Sequence, residues 1–229
     1  THSGECLYTL TGHQYSVNAC HYSPDGARIV SASADNTLKI WDAHSGECLN
    51  TLTGHQHWVK ACHYSPDGAR IVSASAEGTL KIWDAHSGEC LNTLIGHQGS
   101  VNACHYSPDG ARIVSASYDD TLKIWDAHSG ECLNTLTGHQ YSVFACHYSP
   151  DGARIVSASA EGTLKIWDAE SGKCLLTFAA TAHPAAWAAI DEQKNMVLSC
   201  GAEAWRHLGW LAVDSKGRMT RYPLEVRRV

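Results

Sequence analysis

Apolar and polar positions alternate in short runs along most of the chain, and the runs come in fours. "VNACHYS" (17–23), "ARIVSAS" (27–33), "TLKIWDA" (37–43) and "ECLNTL" (47–52) each carry the period-two pattern of a half-buried strand. Turn signals separate them. "SPDG" puts Pro, Asp and Gly where a tight turn favours them, and "ADN" and "HSG" punctuate the next two junctions. No stretch carries a helical period. The set of four then recurs: Trp41, Trp83, Trp125 and Trp167, each followed by Asp, mark a period of 42 residues. Repetition at this period means stacked supersecondary units, and four short antiparallel strands per unit make one blade of a β-propeller.

The pattern therefore predicts an all-β chain, a β-propeller of four-stranded antiparallel blades. Four regular blades occupy 1–178, preceded by an outer strand "ECLYTL" at 5–10 that arrives before any blade exists to receive it. Over 179–229 the register dissolves. Strand-like pieces persist at "AWAAID", "NMVLSC", "LGWLAVD" and "RMTRYPLEV", with a turn at "DSKG", and Trp187, Trp205 and Trp210 replace aliphatic core residues. This segment reads as a degenerate fifth blade or a closing cap.

The dipeptide "GH" at 12–13, 54–55, 96–97 and 138–139, followed by "SPDG" and "IWD", resembles the WD-repeat β-propeller family, with near-identical repeats of bacterial type. The resemblance covers residues 5 to about 178. It implies that each repeat opens with the outer strand of the preceding blade, so that chain ends can interlock. It also implies a hydrogen-bonded tetrad: His13, Ser31 or Ser33, Asp35 and Trp41 in the first unit. The corresponding residues are His55, Ser73 and Trp83; His97, Ser115, Asp119 and Trp125; and His139, Ser157 and Trp167. Residues 179–229 resemble the irregular segment that follows propellers in bacterial signalling receptors. The chemistry of the tetrad stands by itself, because indole can only donate while hydroxyl, imidazole and carboxylate can accept. Chained from Trp to Ser to His to Asp, every polar group finds a partner. Glu77 and Glu161 replace the Asp in two units; being one methylene longer, they are not expected to close the tetrad in the usual geometry.

Composition narrows the classes. Of 229 residues none form the roughly 20-residue apolar run that spans a bilayer, so no membrane association is expected. The N-terminus lacks an initiator Met and is neither a signal nor a transit peptide, and the chain reads as a mature fragment. A net charge of −6, with Lys and Arg spread along the strands, gives no basic stripe for nucleic acid. Nine of the ten cysteines belong to the repeat and replace small hydrophobes, which predicts reduced, buried thiols in a cytoplasmic protein. Twelve of the fifteen histidines sit at fixed repeat positions. Adjacent Cys-His on a strand point to opposite faces, so no metal site and no cofactor are expected. Ser, His and Asp also invite a catalytic triad, but here they recur in every unit beside a Trp that occupies the Ser.

The units differ almost only in two places. One follows "GH": Tyr15, Ser16 and Asn18; His57, Trp58 and Lys60; Gly99, Ser100 and Asn102; Tyr141, Ser142 and Phe144. The other is the turn between second and third strands, where Tyr118 and Asp120 stand out. In a propeller both places lie on one rim, and Tyr, Trp and Phe there have the makeup of binding hot spots. The expected function is a non-catalytic interaction scaffold for a protein or peptide, with Tyr15, Ser16, Asn18, His57, Trp58, Lys60, Tyr118, Asp120, Tyr141 and Phe144 at the contact. A multivalent propeller lectin would repeat one sugar site in every blade. A propeller glycosidase would need a carboxylate pair, for which Asp120, Glu77 and Glu161 are the loop acids that stand out. Because stacked blades bury their sides only against neighbours, two copies are expected to combine in a closed symmetric ring, a homo-oligomer in which each lends its N-terminal strand or end blade; the alternative is a five-bladed remnant from which upstream blades were removed.

Overall fold

The computed structural model describes residues 6, 8–180, 187–193, 196–200, 210–213 and 219–222. Each repeat is a four-stranded antiparallel meander. The first blade is β1 (Val17–Tyr22), β2 (Arg28–Ser33), β3 (Leu38–Asp42) and β4 (Cys48–Leu52), hydrogen-bonded in that order. The second is β5 (Val59–Tyr64), β6 (Arg70–Ser75), β7 (Thr79–Asp84) and β8 (Cys90–Ile95). The third is β9 (Val101–Tyr106), β10 (Arg112–Ser117), β11 (Leu122–Asp126) and β12 (Cys132–Leu136). The fourth begins with β13 (Val143–Tyr148), β14 (Arg154–Ser159), β15 (Thr163–Asp168) and β16 (Cys174–Ala180). The first strands of successive blades, β1, β5, β9 and β13, lie against one another, so they line the axis and the fourth strands face outward.

The turns follow from their residues. In "SPDG" the Ser23 hydroxyl donates to Asp25 Oδ1 at 2.5 Å, Ala27 N–H donates to the same oxygen, and Gly26 adopts φ 72°. A side chain at φ 72° is strained, which is why glycine stands there. After β3, Asp42 Oδ1 accepts the amides of His44 and Ser45 and closes the next turn.

The first strand of each blade carries a bulge. Val17 pairs with Ser33 and Ala19 with Ala32, leaving Asn18 as the extra residue, and the same shift recurs at Lys60, Asn102 and Phe144. A bulge re-aims the extra side chain. Asn18 Nδ2 donates to the Val59 carbonyl at 2.8 Å, Lys60 Nζ to Asn102 Oδ1 at 3.0 Å and Asn102 Nδ2 to the Val143 carbonyl at 2.9 Å, each tying one blade to the next.

Among the described residues three apolar clusters form, and each straddles two blades. Val30, Ala32, Leu38, Ile40 and Leu52 of the first blade meet Val59, Cys62, Tyr64, Ile71 and Trp83 of the second. The second and third blades, and the third and fourth, repeat the arrangement with the equivalent residues. No blade has a core of its own.

Two expectations change here. The segment after the fourth repeat does not open a fresh four-stranded sheet where it is described. "AWAAID" and "NMVLSC" form β17 (Trp187–Asp191) and β18 (Met196–Cys200), which add to the outer edge of β16 and make a six-stranded sheet. A free outer edge offers unpaired amides and carbonyls, and the chain reverses onto it. "LGWLAVD" and "RMTRYPLEV" contribute β19 (Trp210–Val213) and β20 (Met219–Tyr222), paired as a ribbon; the "DSKG" turn and Trp205 lie outside the described residues. The N-terminal segment also differs. Cys6 and Tyr8–Leu10 carry no strand pairing, yet Tyr8 and Leu10 lie over Gly46 as Asn50 and Leu52 lie over Gly88. They sit where the outer strand of a preceding blade belongs.

The cysteines divide into two classes, which corrects the expectation that all are buried. The nine cysteines of the repeats are free, but only Cys62, Cys104 and Cys146 are buried, while Cys174 is intermediate and Cys6, Cys20, Cys48, Cys90 and Cys132 are exposed. Cys62, Cys104 and Cys146 of "ACHYS" face the preceding blade, whereas the equivalent Cys20, on the free side of the first blade, is exposed; Cys48, Cys90 and Cys132 open an outermost strand, which faces water. Burial raises the thiols of Cys62, Cys104 and Cys146 above their ordinary range. Thiol titration should find the exposed group reacting at once in the native protein, and Cys62, Cys104 and Cys146 only after unfolding. Rapid native labelling of Cys104 would show that the blades are not packed as described.

Candidate interaction face

Each blade holds a closed polar chain between its core and one rim. In the first, Trp41 Nε1–H donates to Ser31 Oγ at 2.8 Å, and that hydroxyl meets His13 Nε2 at 2.8 Å. His13 Nδ1 meets Asp35 Oδ2 at 2.8 Å. The carboxylate only accepts, so Nδ1 carries the proton and Nε2 accepts from Ser31. Ser33, the alternative candidate, instead donates to the Tyr15 carbonyl at 3.2 Å. His55–Ser73–Trp83, His97–Ser115–Trp125 and His139–Ser157–Trp167 repeat the chain.

The glutamates also close it. Asp35 and Asp119 use one oxygen for the histidine and the following Gln amide, and the other for both the amide and hydroxyl of a Thr two residues on. Glu77 takes His55 at 2.7 Å and the Thr79 hydroxyl on Oε1, and the Gln56 amide on Oε2. Glu161 does the same with His139, Thr163 and Gln140. The extra methylene is absorbed by rotating the carboxylate, at the loss of the threonine-amide bond. The turn residue after it changes in step: Gly78 and Gly162 follow Glu, whereas Asn36 and Asp120 follow Asp. All four adopt positive φ, 89°, 79°, 69° and 67° respectively. Asp120 therefore stands at a position chosen for its backbone, since Asn, Asp and Gly are the residues that tolerate it.

Burial lowers His55, His97 and His139 below the ordinary imidazole range, partly offset by the paired carboxylates. For Asp35 burial raises the carboxyl, but hydrogen bonds from Thr37, Gln14 and His13 outweigh it and hold the group well below the usual range. These serines are no nucleophiles: each hydroxyl is held between indole and imidazole in the interior. Glu77 and Glu161 have both oxygens occupied, so they make no acid–base pair.

The network fixes the two variable loops to each other. Besides the Gln14 amide on Asp35, Ala34 N–H donates to the Ser16 carbonyl at 2.9 Å, and the equivalent bonds recur in every blade. Held on this scaffold, Tyr15, Trp58, Tyr118, Tyr141 and Phe144 are all exposed. They form two groups. Tyr15, Ser16, Asn18, Asn36 and Trp58 line a cleft where the first two blades meet. Across the later blades, Lys60 Nζ sits 5.0 Å from the Tyr118 ring centre, and Tyr118 meets Phe144 edge-on at 5.7 Å. His57 packs edge-on against Trp58. Asn18 and Lys60 thus serve the joints between blades as well as the rim, a role that the bulge creates and that spacing alone does not reveal.

A second histidine set lines the axis. His21, His63, His105 and His147 on the four first strands lie ring against ring, tilted or edge-on, with ring centres 3.7, 4.6 and 4.4 Å apart. Among the described residues no group of three or more His, Cys, Asp or Glu could hold a metal ion. Burial, with the neighbouring imidazoles adding to it, lowers His63 to about 4 and His105 to about 3. Among the described residues no helix is long and apolar enough to cross a membrane.

Stacked antiparallel blades, a polar tetrad in each and a rim of varied loops define a repeat-built scaffold. The family model described as "WD domain, G-beta repeat" matches residues 4–42, 46–84, 88–126 and 130–168, and the chain belongs to that family. Its members are generally non-catalytic. The chain is 61% identical over 33 residues to Ribosome assembly protein 4 of Saccharomyces cerevisiae, covering 14% of this chain and 6% of that protein. It is 47% identical over 38 residues to Protein Mut11 of Chlamydomonas reinhardtii, covering 17% of this chain and 10% of that protein. Each match spans a small part of the relative.

Two outcomes follow from this geometry. Ser73→Ala leaves the Trp83 indole and His55 without their shared partner in the interior, and should cost about 1–3 kcal/mol in denaturant unfolding, whereas Ser87→Ala on an exposed turn should cost little. Burial keeps His63 and His105 neutral in the folded chain, whereas unfolded they protonate below about 6.5. Their contribution to stability is therefore complete above pH 6.5 and is lost as pH falls towards 4. The thermal midpoint should drop over that window, and less so in His105→Gln; a flat profile would contradict the assignment.

Proposed function

We propose that this chain is an interaction scaffold that binds a protein or peptide across the varied rim, in the cytoplasm, as a homo-oligomer of two chains sharing one ring. The observation that carries the reading is the row of exposed aromatics on loops the tetrads immobilise. Exposed Tyr, Trp and Phe on a rigid frame offer large contact area at small ordering cost. The Lys60–Tyr118–Phe144 contacts supply a cation and two rings from three different blades, a surface no single repeat could present. Free cysteines at the nine repeat positions support a reducing compartment.

A lectin would repeat the same polar and aromatic set in every blade. Here His57 and Trp58 of one blade stand where Gly99 and Ser100 stand in the next, which favours one extended partner over four equal ligands. The short matches to the yeast and algal proteins speak for the repeat and not for their tasks.

The test is a pull-down with the intact chain followed by titration of the recovered partner. Trp58→Ala and Phe144→Ala should each weaken binding by roughly 1–3 kcal/mol with the thermal midpoint unchanged. Equal loss of binding and stability would make these rings part of the packing instead.

A further inference from the structure

The two ends of the blade stack are the two unmatched halves of a joint that the molecule already makes three times. At each internal joint a Val and a Tyr from the first strand of one blade insert against a Val and a Leu of the blade before it. Val59, Val101 and Val143 are 0% exposed, and Tyr64, Tyr106 and Tyr148 at most 4%. On the receiving side Val30, Val72 and Val114, and Leu38, Leu80 and Leu122, are all 0% exposed. At the start of the stack the equivalent Val17 and Tyr22 are 56% and 60% exposed. At its end the equivalent Val156 and Leu164 are 41% and 47% exposed.

The polar parts of the joint are split in the same way. Arg28, Arg70 and Arg112 each reach forward to a carbonyl of the next blade, those of Ala85, Ala127 and Ala169, at 3.0, 2.9 and 3.2 Å. Arg154 is the fourth of this series, and Ala43 is the matching carbonyl at the other end. Pro24, Pro66 and Pro108 press on Gly68, Gly110 and Gly152, whereas the space around Gly26 is open. Pro150 is the ridge that fits it by the same repeat.

We propose that the occupant of each open end is a second copy of this chain, its fourth blade seated on the first blade. This rests on the two-chain reading above and names its surfaces: Val156, Leu164 and Arg154 of one copy against Val17, Tyr22 and Ala43 of the other, twice over. The faces are different, so the contact is head-to-tail and closes only if the rotation completes a ring. Two sets of four blades give eight, within the range of about four to eight found in propellers, and three sets would exceed it. In the paired ring, β16 of the second copy takes the place that Tyr8 and Leu10 hold over Gly46. The axial histidines continue across the joint, His147 of one copy beside His21 of the other.

Light scattering of the 229-residue chain at micromolar concentration tests this. A mass of about 50 kDa, twice the 24.8 kDa chain, is expected; a single-chain mass or an open-ended series of larger masses would overturn the paired ring. Leu164→Lys and Tyr22→Glu alter side chains that already face water in one copy, so circular dichroism should show both variants folded. Each alone should raise the dissociation constant at least ~100-fold, because each buries an unpaired charge in both joints. Mixed, the two variants retain one intact joint and should associate more tightly than either alone. If only one variant weakens pairing, the contact is a face against itself; if neither does, a dimer forms elsewhere. Either result overturns this joint and leaves the rim reading to stand or fall on its own partner titration.

Discussion

Everything in this molecule depends on one constraint: a blade has two apolar faces and no means of covering either by itself. Fully burying a Val, Leu or Tyr side chain is worth about 1.5–3 kcal/mol, and each joint gathers roughly ten such residues from two blades. The stabilisation belongs to the joint and not to the blade. That explains why the chain repeats its core almost letter for letter. Two faces that must fit each other, three times in succession, leave no position free to change without a matching change across the joint.

Polar chemistry rides on the same frame. A tryptophan that fills the joint also carries an N–H that must be satisfied. The serine, histidine and carboxylate satisfy it in sequence and end at the two loops of the rim. Packing and loop position are coupled through one hydrogen-bonded chain, so side chains beyond it can vary without disturbing the fold. Tyr15, His57, Gly99 and Tyr141, at equivalent positions, show how far they have varied.

Strands and turns are legible because each follows from a local signal, period-two alternation or a Pro-Asp-Gly turn, whereas the tetrad partners come from the resemblance to WD repeats, with which the chemistry of donor and acceptor agrees. What was missed depends on distance or on a bulge. Cys48 and Cys62 sit in equally apolar runs, and only their places in the blade, outermost strand and joint, separate exposed from buried. Asn18 and Lys60 read as rim residues until the bulge turned them towards the next blade. Asp120 varies with its neighbours because its φ of 67° admits few residues. Glu77 was judged too long for its tetrad because rotation of a carboxylate is invisible in spacing. The strands after residue 180 were found, but their partner, the free edge of β16, was not.

The central claim, that a blade is held by its neighbours, is tested most directly by native hydrogen exchange resolved by blade over a range of protein concentration. Strands β5 and β9, covered on both sides, should be strongly protected at every concentration. Strands β1 and β14, each facing an open end, should exchange faster in dilute solution and gain protection as concentration rises, because the opening free energy of an end blade lacks one joint. Equal protection of β1 and β5 in dilute solution would mean that a blade is stable without its neighbour, and would contradict the account.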